Sequence, residues 1–183
     1  MTGLGILAFI FGVAGVWFTV KQNILCWPIS LVAVIASVIE FYRQHLFGDM
    51  TLQVFYFFAS VYGWMYWNKK KDESFVTKHI DSKLIPLLLV ITVIQAIVYY
   101  YLLIYFGGDK PLFDAILTAA SLTNTFIMTK KWLENWLAWI LIDISYVLLY
   151  SIKNMWPFAL LYFLFAVMAC YGWIKWKKTT LKK

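Results

Sequence analysis

Seven apolar stretches follow one another along the chain, at 3–20, 24–42, 51–67, 84–106, 112–129, 132–151 and 156–174. Most have the roughly 17–25 residues that a helix needs to cross a hydrocarbon core. They predict seven transmembrane helices joined by short connections. Only 68–83 is long enough to be a loop, and no soluble domain fits there. The first stretch lacks a basic leader region, so its pattern is not that of a secretion signal. Pro28, Pro86, Pro111 and Pro157 fall near the helix starts, where proline is tolerated. Ala8, Gly12 and Gly15 in the first stretch are small enough for close helix contact.

Composition fixes the class. Of 183 residues, 63% are hydrophobic and 14% charged, against about 45–50% and about 25% in a soluble domain. A soluble fold of this size cannot bury that much apolar surface. Most cytosolic enzymes, nucleic-acid binders and disordered proteins are thereby excluded, and an all-α multi-pass membrane protein remains. The net charge of +7 then describes loops rather than a polyanion partner. Thirteen of the sixteen Lys and Arg residues fall on one side of the predicted spans, from Lys21 through 69–83 and 130–131 to the tail 175–183. Arg43, Lys110 and Lys153 fall on the other. The basic side is expected in the cytoplasm, with the N-terminus outside and the C-terminus inside. Trp64, Tyr66, Trp67, Trp173 and Trp176 then lie at inner ends as interfacial anchors. Cys26, Cys170, His45 and His79 stand apart from one another, so no metal site is expected. No cofactor and no catalytic residue is expected either.

Two segments match without a gap at an offset of 109. Over 21–67 against 130–176 there are nine identities. Lys21 aligns with Lys130, Trp27 with Trp136, Tyr62-Gly63-Trp64 with Tyr171-Gly172-Trp173, and Trp67 with Trp176. The expected organisation is a 3+1+3 repeat: a first three-helix bundle at 1–67, a loop and linker helix at 68–108, and a second bundle with a basic tail at 109–183. A single linker helix makes the two copies parallel. Transporters place substrate sites near the midplane between such halves.

Polar residues inside the spans are the candidate ligands. Asp143 lies near mid-bilayer in helix 6, where an ionisable group is costly and points to function. Trp136, Trp139 and Asp143 fall at i, i+3 and i+7, with Tyr146 continuing the same face. Two indoles and a carboxylate can hold a flat cation by stacking and charge. The alternatives are an interfacial anchor for Trp136 and an interhelical hydrogen bond for Asp143. Gln53, Tyr56 and Ser60 form a second polar stripe on helix 3, as ligands or as helix–helix glue. Asn124 is the ligand candidate on helix 5, where Thr118, Ser121 and Thr125 read as glue. Gln95 on helix 4 fits either role. Glu40, near the outer end of helix 2, is a cation attractor or a partner of Arg43.

Gly48-Asp49-x-x-Leu52-Gln53-Val54-x-Tyr56, ending in Tyr62-Gly63-Trp64-x-x-Trp67, resembles the PnuC family of bacterial vitamin transporters. So does Lys131-x-x-Glu134-Asn135-Trp136-x-x-Trp139-x-x-x-Asp143. The resemblance covers nearly the whole chain. It implies a fold akin to full-length SWEET sugar transporters and a place in the bacterial inner membrane. It also implies facilitated uptake of nicotinamide riboside, with thiamine and riboflavin carried by related members, and a cytosolic kinase that traps the substrate. A homo-oligomer is compatible with it. Members that carry nicotinamide riboside tend to have Asn where this chain has Asp143, and Asn where it has Ala33. That departure makes thiamine the alternative substrate, and a SWEET-like sugar carrier a more distant one. An intramembrane enzyme would need a nucleophile, base or metal constellation; HExxH, GxSxG and a pair of mid-membrane aspartates are all missing from the sequence. A receptor-like subunit would not need a carboxylate flanked by indoles.

Overall fold

A computed structural model describes residues 2–43, 47–70, 76–107, 111–152, 154 and 156–180, with the backbone alone for 47–49. The protein is all-helical. The described residues form seven α-helices: α1 (Gly3–Val20), α2 (Cys26–Arg43), α3 (Phe47–Lys69), α4 (Ile85–Tyr105), α5 (Pro111–Thr129), α6 (Asn135–Ile152) and α7 (Trp156–Thr179). A single 3-10 turn, Ser82–Leu84, leads into α4. His45, Lys110 and Lys153 lie outside the described residues, as does the side chain of Asp49.

Local chemistry sets the helix starts. Thr2 caps α1, its hydroxyl accepting from the Gly5 amide at 3.1 Å. Asn23 accepts from the Leu25 amide ahead of α2, and Asp81 from the Lys83 amide ahead of α4. Each occupies an amide donor that a helix start leaves open. Pro111 opens α5, where its missing N–H costs nothing, and Asp114 stands in the first turn.

The α1–α2 and α5–α6 connections are built alike. Gln22 (φ 56°) and Lys131 (φ 53°) both adopt the left-handed conformation. Around them, the Gln22 amide donates to Thr19 O and the Asn23 amide to Phe18 O; likewise Lys131 donates to Met128 O and Trp132 to Ile127 O. This is the Schellman helix ending, which usually places glycine at the left-handed position. Here a long side chain stands there at a cost of roughly 1 kcal/mol. Even the neighbouring cation–π contacts agree: Lys21 lies 4.9 Å from the Trp17 ring centre, and Lys130 5.3 Å from that of Phe126. Because of this turn, α6 starts at Asn135 rather than at the Trp132 that hydropathy predicts.

The chain forms two compact units, one holding α1–α3, the other α5–α7 together with α4 up to Ile104. In the first, α2 packs on both α1 and α3. Trp27 lies against Gly63, and its ring meets Trp67 edge-on at 5.4 Å. In the second, α6 packs on α5 and α7. Trp136 lies against Gly172 and meets Trp176 edge-on at 5.2 Å. Six helices are long and apolar enough to cross a membrane. The 23-residue α3 has the length, but Gln53, Ser60, three tyrosines and two tryptophans make it less apolar than the others. Half of α5 is buried, whereas α4 is almost wholly exposed. Leu, Ile, Val and Phe side chains exposed along α4 and around both units form a surface suited to lipid tails.

Candidate functional site

Within the second unit, Asp143 is the ninth of the 18 residues of α6, about 12 Å from the helix start at 1.5 Å per residue. It is 3% exposed. Among the described residues it has no ion-pair or hydrogen-bond partner. A carboxylate left this way in an apolar interior demands a counter-charge or a donor. One turn further on, Tyr146 stacks on Tyr162 of α7 at 4.5 Å, and Tyr150 stacks on both Tyr162 and Phe158. Trp139 is half-buried and packs on the cluster of Leu117, Ile142, Tyr146 and Leu149.

The two indoles of the stripe have different surroundings. Trp136 is 1% exposed, closed in by Gly172 and Trp176. Its Nε1–H is buried without an acceptor among the described residues, as is that of Trp27 in the first unit. Trp139 keeps part of its surface open.

Asn124 is buried, and its amide donates to Asn135 O at 2.9 Å across the α5–α6 turn. Asn135, which the spacing argument passed over, is fully buried. Its side chain donates to Trp132 O, while its Oδ1, the Oδ1 of Asn124 and the hydroxyl of Ser121 have no partner among the described residues. Its signal in the sequence was its place between Glu134 and Trp136. Tyr162 was also passed over; it occupies the position that the offset of 109 assigns to Gln53.

Gln95 has a structural engagement. The Thr92 hydroxyl donates to Thr123 at 2.8 Å, and the Thr123 hydroxyl to Gln95 Oε1 at 2.9 Å, tying α4 to α5. Thr125 and Thr129 return their hydroxyls to their own helix, to Ser121 O and Thr125 O, as mid-helix threonines commonly do.

In the first unit, Ser60 and Glu40 are buried, while Gln53 and Tyr56 are half-buried on the same α3 face. Val34 stands where the offset assigns the counterpart of Asp143, so the central carboxylate belongs to the second unit alone. Among the described residues no group of three His, Cys, Asp or Glu side chains could hold a metal ion.

Six helices long and apolar enough to cross a membrane, with exposed apolar side chains suited to lipid tails, define a multi-pass membrane protein. The sequence profile of the nicotinamide mononucleotide transporter family matches residues 2–178, and the chain belongs to that family. The nicotinamide riboside transporter PnuC of Escherichia coli K12 is 22% identical over 166 residues, covering 75% of this chain and 70% of that protein. The PnuC of Neisseria mucosa is 25% identical, covering 96% and 72%. In fold, the chain is similar to the crystal structure of a vitamin B3 transporter PnuC, with a TM-score of 0.79 and 23% identity over 96% of this chain and 80% of that one. The homologues are transporters, not enzymes.

Proposed function

We propose that the chain carries nicotinamide riboside into the bacterial cytoplasm by facilitated diffusion, by alternating access of two three-helix bundles, α1–α3 and α5–α7. The observation that carries the solute's chemistry is Asp143, buried at the middle of α6 and without a partner among the described residues. Nicotinamide riboside brings a flat pyridinium that gains from aromatic faces and a carboxamide that can donate to this carboxyl oxygen, as it could to an asparagine there. The relatives' names support the riboside among cationic vitamins. A mononucleotide fits less well. Its phosphate needs a cation, and the central turns of the seven helices hold no Lys or Arg. Thiamine is the second reading, favoured by the same carboxylate, which would accept from its aminopyrimidine.

The 3+1+3 repeat is supported by the paired Schellman turns and the paired Trp–Gly packing at the constant offset of 109. On that reading α3 is the seventh span and α4 the linker. The lysine-rich ends face the cytoplasm; a reporter fused after Lys183 should be active inside only. A cytosolic kinase would trap the riboside by phosphorylation. Uptake of labelled nicotinamide riboside by proteoliposomes tests the proposal. Internal and external concentrations should become equal without an ion gradient, and nicotinamide mononucleotide should not compete. Uphill accumulation abolished by a proton or sodium ionophore would refute facilitated transport.

A further inference from the structure

The segment between α3 and α4 is stitched onto the second unit. Residue 78 forms a parallel bridge with Trp132. The Lys78 amide donates to Lys131 O at 3.2 Å, and the Leu133 amide to Lys78 O at 2.8 Å. Glu134, directly before α6, uses both carboxylate oxygens on the same segment: His79 Nδ1 lies 2.7 Å from Oε1, and the Ile80 amide donates to Oε2 at 2.9 Å. Thr77 is fully buried, its hydroxyl 3.3 Å from that of Thr179 near the end of α7. Residues 77–80 therefore bind the α5–α6 turn, the start of α6 and the end of α7 at once.

The first unit offers a built-in comparison. Its α1–α2 turn repeats six backbone bonds of the α5–α6 turn at the offset of 109. At the position of Glu134, however, it has Leu25, an exposed side chain that can accept no hydrogen bond. The backbone turn thus does not require the carboxylate. Glu134 serves the strap.

We infer that residues 77–80 form a permanent strut that fixes the start of α6, and that Glu134 is thereby the positioning residue for Asn135 and Trp136. The strut stays bonded throughout the transport cycle. Opening it would break two backbone bonds and the paired carboxylate contacts and would wet the buried Thr77. The second unit's turn is a fixed platform, whereas the first unit's matching turn has Leu25 in the place of Glu134.

This inference rests on the transport reading, so its test includes a readout that needs no substrate. In a Cys170→Ser background, Thr77→Cys and Thr179→Cys should form a disulfide on oxidation. Uptake of nicotinamide riboside by the cross-linked protein should stay within about twofold of the reduced form, because a strut has no need to open. Loss of uptake on oxidation that returns on reduction would overturn the strut and make the segment a gate. Separately, Glu134→Leu should speed amide exchange at Leu133 by about tenfold or more, as expected for loss of charge-assisted contacts. It should raise KM with little change in maximal rate, and Glu134→Gln should restore part of both. Unchanged exchange and KM in Glu134→Leu would overturn the positioning role. Exchange is measured on the protein alone. A protein that shows the exchange effect yet takes up no nicotinamide riboside refutes the substrate reading and leaves the anchoring intact.

Discussion

The indole of Trp136 lies directly on Gly172: a Cβ added to that glycine would sit 2.6 Å from two of its ring carbons. Trp27 and Gly63 make the same contact in the first unit, still more tightly. Only a residue without a side chain lets the ring approach the neighbouring helix this closely. Gly172→Ala should destabilise the protein by about 1–3 kcal/mol, the usual cost of overpacking. Thermal unfolding in detergent would show it. Trp136→Phe in the same chain should recover part of the loss by withdrawing the larger ring. A Gly172→Ala protein as stable as the wild type would mean that the Trp136 ring moves aside freely.

The two tryptophans of the α6 stripe should respond differently to ligand. Trp139 is half-buried and can still meet a solute, whereas Trp136 is enclosed by Gly172 and Trp176. Quenching of intrinsic fluorescence by nicotinamide riboside should disappear in Trp139→Phe and persist in Trp136→Phe. The opposite result would make Trp136 the stacking platform, and would require the clasp to open on binding.

Asp143→Asn keeps the shape of the side chain and removes its charge. A cationic solute paired with this carboxylate should lose about 1.5–3 kcal/mol of binding, as for a charge-assisted contact, or roughly 10- to 150-fold in Kd. Thiamine should show that loss. Nicotinamide riboside should change by only about threefold or less, less than 1 kcal/mol, because the resemblance places Asn here in its carriers. Titration of both vitamins against the folded variant separates the two substrate readings. Unchanged affinity for both would make Asp143 a structural group.

Gln95 and Thr123 should matter to stability alone. Thr123→Val removes the hydroxyl that links Thr92 to Gln95. Interhelical hydrogen bonds of this kind average about 0.6 kcal/mol in membrane proteins. A shift of that size in the unfolding free energy, with Kd for nicotinamide riboside unaltered, is the expected outcome. A large change in Kd would bring Gln95 into the site.

Hydropathy and length alone located the helices to within a few residues, because crossing a hydrocarbon layer constrains every residue of a span at once. The offset of 109 was legible for the same reason: Trp27, Gly63 and Trp67 recur as Trp136, Gly172 and Trp176, and aromatic residues and glycine tolerate few replacements in a tight contact. Asp143 announced itself by being charged where charge is costly. The rest required tertiary structure. The ends of α1 and α5 turn through Gln22 and Lys131, and no glycine or asparagine stands there to mark a left-handed residue. Trp136 and Trp139 look equivalent at helical spacing; only the approach of α7, 36 residues after Trp136 at Gly172, encloses one and leaves the other partly open. Glu134 reads as an ordinary polar residue at a helix start until a segment 54–55 residues earlier brings His79 and the Ile80 amide to it. Periodicity reports which face of a helix is apolar. Which distant polar group arrives at that face is decided by packing, and that decides whether a side chain binds a solute, caps a strut or ties two helices together.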